Sequence, residues 1–304
     1  MTHTFSTVDV AVPGGDLRVG AWDVDGQPDA PTALLIHGVT ASHRSWPLVA
    51  AHLPDVRLVA PDLRGRGRSN EVAGPAGMAT HAADLVRVLD HFDVSSAVVV
   101  GHSMGAFVSV VLADLFPERV ERLVLVDGGL PLEIPDGLSS DEIVSFLLGP
   151  AAERLAMTFP SVEAYLDHWR THPAFADHWS AAVTDYFAYD LVGSEPALRP
   201  STRYGVMSDD TVDLNTGQTI VDAVSGLRHP TRFLTAPRGL LDQTPGLYSP
   251  SRVAELMAAL PAVRHTEIAD TNHYTITLSE AGAGATAAVV LEELAAAPRV
   301  ASQA

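Results

Sequence analysis

Four short runs of the sequence are apolar without alternation, and each stops at turn residues: T-A-L-L-I-H-G (32–38), V-R-L-V-A-P-D (56–62), S-A-V-V-V-G-H (96–102) and R-L-V-L-V-D-G-G (122–129). A strand with one face in water alternates polar and apolar residues. A run that is apolar throughout must be covered on both faces, as in a parallel sheet between helical layers. Helix-compatible segments, His81–Asp90 and Met104–Phe116 among them, separate the runs. This β-α-β-α succession predicts an α/β fold with a mostly parallel sheet. Upstream, Phe5–Val12 and Leu17–Val24 alternate around P-G-G-D and read as a hairpin. Downstream, Thr231–Ala236 and Val263–Ala269 resume the strand pattern, and Ala281–Ala296 reads as a closing helix before a disordered tail.

Between residues 131 and 227 the rhythm breaks into helical and loop-like sequence punctuated by Pro and Gly. Ten of the nineteen aromatic residues fall there, including Phe146, Trp169, Tyr186 and Tyr204. We therefore expect a core built from 1–130 and 228–304, with 131–227 inserted as a helical cap. Such a segment needs aromatics for its own core, and it can also line a pocket for an apolar ligand. Trp169 and Tyr186 are the candidates for that lining.

Composition excludes several chemistries. With no cysteine, disulfides and thiolate chemistry are out. All nineteen basic residues are arginine, so Schiff-base chemistry and a P-loop lysine are out as well. A net charge of −18 disfavours nucleic acid or an anionic membrane as partner. No basic-then-apolar leader opens the chain and no run approaches a membrane span, so the expectation is a cytoplasmic protein. His168 and His172 have i,i+4 spacing, but without a Glu-x-x-His context no metal is expected.

The most informative nine residues are V-V-V-G-H-S-M-G-A (98–106). A G-x-S-x-G set between an apolar strand and a helix holds its serine in a strained turn. There the oxygen of Ser103 projects, and the helix N-terminus offers the Met104 N–H to a developing oxyanion. With this motif in its context the chain resembles the α/β-hydrolase fold superfamily along nearly its whole length, specifically its serine-nucleophile esterase and lactonase members. L-L-I-H-G-V-T (34–40) matches the family's strand followed by His-Gly, which implies Val39 N–H as second oxyanion donor. V-A-P-D-L-R-G-R-G-R-S (59–69) matches its Asp-x-Arg-Gly-x-Gly-x-Ser loop. The R-G-R-G-R within it therefore needs no nucleic-acid explanation.

I-A-D-T-N-H-Y-T-I (268–276) places His273 in the late loop where the resemblance implies the general base. His37 and His102 sit inside other motifs. The orienting acid is less direct. Most relatives carry it after the strand corresponding to T-R-F-L-T-A, where this chain has Gly239. A minority carry it one strand earlier, which implies Asp127; the alternative is Asp242, reached through an irregular A-P-R-G-L-L loop. A serine with a histidine base performs acyl transfer, and a serine in place of a carboxylate at the elbow argues against epoxide hydrolase and dehalogenase chemistry. The expectation is hydrolysis of a carboxylic ester or lactone of an apolar small molecule, without a cofactor, by a monomer or homodimer. Carbon–carbon or amide hydrolysis, cofactor-free oxygenation, and a non-catalytic receptor for a hydrophobic ligand are the alternatives.

Overall fold

The structure is a computed structural model, and it describes residues 3–135 and 137–297. Its ten strands among those residues are β1 (His3–Val12), β2 (Gly15–Val24), β3 (Thr32–Ile36), β4 (Arg57–Pro61), β5 (Ala97–His102), β6 (Val120–Val126), β7 (Leu191–Val192), β8 (Arg199–Pro200), β9 (Thr231–Thr235) and β10 (Val263–Glu267). Eight of them form one sheet in the order β1-β2-β4-β3-β5-β6-β9-β10. The hairpin β1–β2 joins antiparallel at one edge, and the strands from β4 to β10 run parallel. The strands and the hairpin lie within a few residues of their sequence-based boundaries. The tail expected beyond the last helix lies outside the described residues, from 298 onward.

The helices of the described residues are α1 (Pro47–Ala51), α2 (Met78–His91), α3 (Met104–Leu115), α4 (Ser140–Leu148), α5 (Pro150–Arg154), α6 (Val162–Arg170), α7 (Ala181–Tyr189), α8 (Tyr204–Thr216), α9 (Gln218–Ser225), α10 (Pro250–Ala259), α11 (Thr275–Leu278) and α12 (Glu280–Ala296). The unbroken apolar runs have a simple explanation. Leu34, Ile36, Val99, Leu123 and Leu125 face a core shared with α2, α3, α9 and α10. Their immediate neighbours Ala33, Leu35, Val98, Val100, Val124 and Val126 face a second core shared with α1 and α12. The two-residue period of a strand sends successive side chains to opposite faces, and here both faces are dry.

Within 131–227 the packing is divided. Tyr165, Trp169, Phe175, Tyr186 and Phe187 form an aromatic core of their own, which also takes in Tyr274 and Leu278. Trp169 and Phe187 stack with ring centroids 4.0 Å apart. By contrast, Ile220 and Ala223 of α9 join the sheet core beside α3. Pairing across this segment is also polar: buried Arg154 donates to Asp190 Oδ2 at 2.8 Å and to the Tyr165 hydroxyl.

Candidate active site

Ser103 is the single residue between β5 and α3, and its backbone has φ +55° and ψ −124°. A side chain with positive φ is strained and persists only where its surroundings impose it. The glycines on either side make that possible. A Cβ on Gly101 would stand 2.3 Å from the Gly105 carbonyl oxygen, and one on Gly105 would stand 2.1 Å from that of Ile36. Both glycines therefore let α3 approach β5 and β3 closely, and the Ser103 N–H donates to the Val126 carbonyl at 2.9 Å.

His273 lies in the loop between β10 and α11, and its Nε2 is 3.1 Å from Ser103 Oγ. Its Nδ1 is 2.7 Å from Asp127 Oδ2. The carboxylate can only accept, so Nδ1 carries the proton and Nε2 is free to accept from the serine. Asp127 follows β6, is fully buried, and takes the Ala236 N–H on its other oxygen at 3.1 Å. The glycine behind it also has a use: a Cβ on Gly128 would sit 2.3 Å from the Ser103 carbonyl oxygen. D-G-G thus brings the end of β6 against the serine turn.

Asp242 goes elsewhere. Its Oδ1 accepts from Asn272 Nδ2 at 2.8 Å and pairs with Arg238 Nε at 2.8 Å. Asn272 in turn accepts the N–H groups of Tyr274 and Thr275. Asp242 therefore braces the residue before His273 and does not meet the imidazole. Gly239, where an acid would stand in most relatives, is covered by Gln243, whose Nε2 lies 2.1 Å from where a Cβ would be.

On the other side of Ser103 is the turn after β3. A Cβ on Gly38 would come 3.1 Å from that of Ser103. His37 Nδ1 donates to the Gly38 carbonyl at 2.8 Å, while its Nε2 accepts the Leu63 N–H at 2.9 Å. Burial pulls the His37 imidazole down to about 4, so it stays neutral. His102, beside the serine, donates from Nε2 to the His273 carbonyl at 2.8 Å, and burial lowers its pKa to about 3. Asp62 of the 59–69 loop is a buried hub that accepts from His43, from the Arg68 N–H and from the Tyr189 hydroxyl. Burial alone would raise its carboxyl, but the bond and charge of His43 outweigh that and lower it.

Ser103, His273, Val39 and Met104 share the wall of a cavity of about 70 Å³. Phe107, Leu132, Leu147, Leu148, Leu214 and Leu247 make much of the remaining wall apolar, and Tyr186 and Tyr274 also line it. Burial pushes the Tyr274 phenol up to about 12 and the Tyr186 phenol higher still. Trp169, expected at the pocket, is absent from this lining. It is held in the aromatic core by Phe187, Phe175 and the Arg154 guanidinium, whose carbon lies 5.1 Å from the indole centroid.

A family model for the alpha/beta hydrolase fold matches residues 31–202, more than half of the chain. The chain belongs to the α/β-hydrolase fold family. It is 34% identical over 185 residues to Lipase LipV of Mycobacterium tuberculosis, a match covering 52% of this chain and 69% of that protein. It is 30% identical to the 2-hydroxy-6-oxo-2,4-heptadienoate hydrolase of Pseudomonas putida over 67% of each chain. For several mycobacterial relatives the matched segment spans 40% of the relative's length. Among solved structures, E-2-(acetamidomethylene)succinate hydrolase superposes with a TM-score of 0.76 at 18% identity, covering 96% of this chain and all of that one.

Within this α/β-hydrolase, some residues at the site escaped sequence reasoning. Leu147, Leu148 and Leu214 line the cavity from 131–227 although only aromatics were singled out there. Their apolar character at the end of α4 and within α8 was the available signal. Arg66 and Asp210 were also missed. They form a fully buried pair, with Arg66 Nη1 2.5 Å from Asp210 Oδ2. Among the described residues no cluster of three or more His, Cys, Asp or Glu side chains could hold a metal ion. No helix of those residues is long and apolar enough to cross a membrane.

Proposed function

We propose that the chain is a serine hydrolase that cleaves a carboxylic ester or lactone of an apolar small molecule through an acyl-enzyme. The observation that carries this reading is the relay Ser103 Oγ–His273 Nε2–His273 Nδ1–Asp127 Oδ2, at 3.1 and 2.7 Å, opening on a largely apolar cavity. In the first half-reaction Ser103 attacks the carbonyl carbon and its proton passes to His273 Nε2. Asp127 stabilises the resulting imidazolium through Nδ1–H. The N–H groups of Val39 and Met104 receive the oxyanion; losing one such donor typically costs about 10²–10³ in rate. The imidazolium then returns its proton to the departing alkoxide, and the acyl group stays on Ser103. Water, deprotonated by the same imidazole, attacks the acyl-enzyme and releases the acid. From a lactone the two products are one hydroxy acid.

Segment 131–227 serves in this reading as a cap that supplies Leu147, Leu148, Ala151, Tyr186, Thr211 and Leu214 to the pocket. The likeness to a lipase supports an ester substrate. The likeness to a 2-hydroxy-6-oxo-2,4-heptadienoate hydrolase supports a second reading, hydrolysis of a dienoate of that kind by the same three residues. The test is turnover of an aryl ester series of rising acyl length, beside a 2-hydroxy-6-oxo-dienoate, by the chain and by Ser103→Ala. Ester turnover that vanishes with Ser103→Ala supports the first reading. Turnover of the dienoate alone transfers the proposal to the second, and Ser103-independent or absent turnover of both defeats both.

A further inference from the structure

The R-G-R-G-R stretch is only partly accounted for by the matching loop pattern, and Arg66 is its unexplained member. Its guanidinium is fully buried, an expensive place for a charge unless every donor is used. Nε donates to the Val39 carbonyl at 2.8 Å and Nη1 to the Arg64 carbonyl at 3.0 Å. Nη1 also meets Asp210 Oδ2, and Nη2 lies 3.6 Å from Met104 Sδ. One side chain thus touches both residues to which the serine-hydrolase reading assigns the oxyanion, Val39 and Met104, and both line the cavity with Ser103. Its counter-ion comes from α8. Asp210 spends its remaining capacity on the Gly77 N–H at 2.6 Å and on His81 Nε2 at 3.0 Å.

The consequence for Val39 is geometric. In a trans peptide the C=O and the following N–H point in opposite directions. The bond from His37 Nδ1 to the Gly38 carbonyl therefore orients the Val39 N–H. Arg66 Nε holds the next carbonyl, that of Val39 itself, so the peptide planes on both sides of the Val39 Cα are pinned. Thr211 and Leu214, one residue and one turn beyond Asp210 on α8, line the cavity.

We propose that Arg66 is a positioning residue for the oxyanion hole, anchored by Asp210 so that the register of Val39 depends on α8 being docked. The proposal rests on the serine-hydrolase reading above. The informative variant is Arg66→Lys, which keeps a positive charge opposite Asp210 but loses the planar fork that reaches Val39. Two quantities are read on folded protein: kcat and KM for the best aryl ester, and inhibition by phenylboronic acid, whose Ser103 adduct is tetrahedral and needs the hole. We expect kcat to fall roughly ten- to a hundredfold, KM to stay within about twofold, and phenylboronic acid to weaken by the same factor as kcat. A folded variant that keeps kcat within about threefold, or that loses kcat with undiminished phenylboronic acid binding, overturns the proposal. Should Arg66→Lys not fold, Asp210→Asn carries the same readings and the same overturning results. Absence of Ser103-dependent turnover in the unsubstituted chain defeats the underlying reading instead, which separates the two failures.

Discussion

The chain after β6 and the chain after β9 each carry an aspartate in the left-handed region: Asp127, directly past β6, with φ +45°, and Asp242, in the loop that follows β9, with φ +61°. Both reach the loop that holds His273, yet they meet different atoms. Asp127 is fully buried and bonded to the imidazole, whereas Asp242 is partly exposed and bonded to Asn272 and Arg238. What separates them is where the sheet puts each strand end. β6 lies between β5, which leads into Ser103, and β9, so a residue one step past β6 is already beside the serine turn. The loop after β9 starts one strand further out and must turn back through Pro237 and Gly239. It reaches the side of the histidine loop and stops there.

The sharpest way to break this comparison is to remove each carboxylate charge in turn. Asp127→Asn should lower kcat by about 10⁴, because an amide no longer selects the productive tautomer of the imidazole. A loss of less than tenfold, measured with the best aryl ester, would remove Asp127 from the relay. A comparable contrast exists inside 131–227. Trp169→Ala should destabilise the fold by about 3–5 kcal/mol, since it deletes a stacked, buried indole, and it should reduce turnover of all substrates alike. Tyr186→Ala should instead change the preferred acyl length, because Tyr186 lines the cavity. Denaturant unfolding and a chain-length series distinguish them, and exchanged phenotypes would reverse the assignment. Asp242→Asn ranks lower. An amide keeps an acceptor for Asn272, so kcat should change by less than about tenfold, and a larger loss than in Asp127→Asn would invert the order of the two acids.

The last contrast, silent at neutral pH, concerns stability against pH. Burial holds His37 at about 4 and His102 at about 3, against an ordinary 6.5. The folded chain therefore refuses protons that the unfolded chain accepts. Their contribution is fully present above pH 6.5 and is lost as the pH falls from there through those depressed values. The urea midpoint should decline over that window, and His102→Gln should flatten the decline. A slope unchanged by that substitution would assign the decline to other groups.

These contrasts also mark what the sequence could and could not convey. The strands were legible because a run such as V-V-V in β5 states that both faces are dry, and the serine turn was legible because its glycines are needed at fixed spacing. His273 could be singled out as the histidine of a late loop, and the structure brings its Nε2 to 3.1 Å from Ser103 Oγ. The choice between Asp127 and Asp242 was narrowed by the resemblance but needed the neighbourhood of β6 and β9, which are separated in the chain by all of 131–227. The aromatic residues there announced a core, and their stacking onto one another left aliphatic side chains from α4 and α8 to shape much of the cavity. Nothing local in Gly239 reveals that Gln243 folds over it.

By itself, the sequence conveyed the strands of the main sheet, their order, the two dry faces of the parallel ones and the turn that holds Ser103. Those follow from periodicities and steric rules that act over a few residues. Tertiary structure alone decided which acid meets His273, 146 positions from Asp127, and which carboxylate accompanies Arg66, 144 positions from Asp210. Contacts at such separations depend on which strand ends and helices become neighbours, and a buried charge takes its partner from whatever that packing brings within reach.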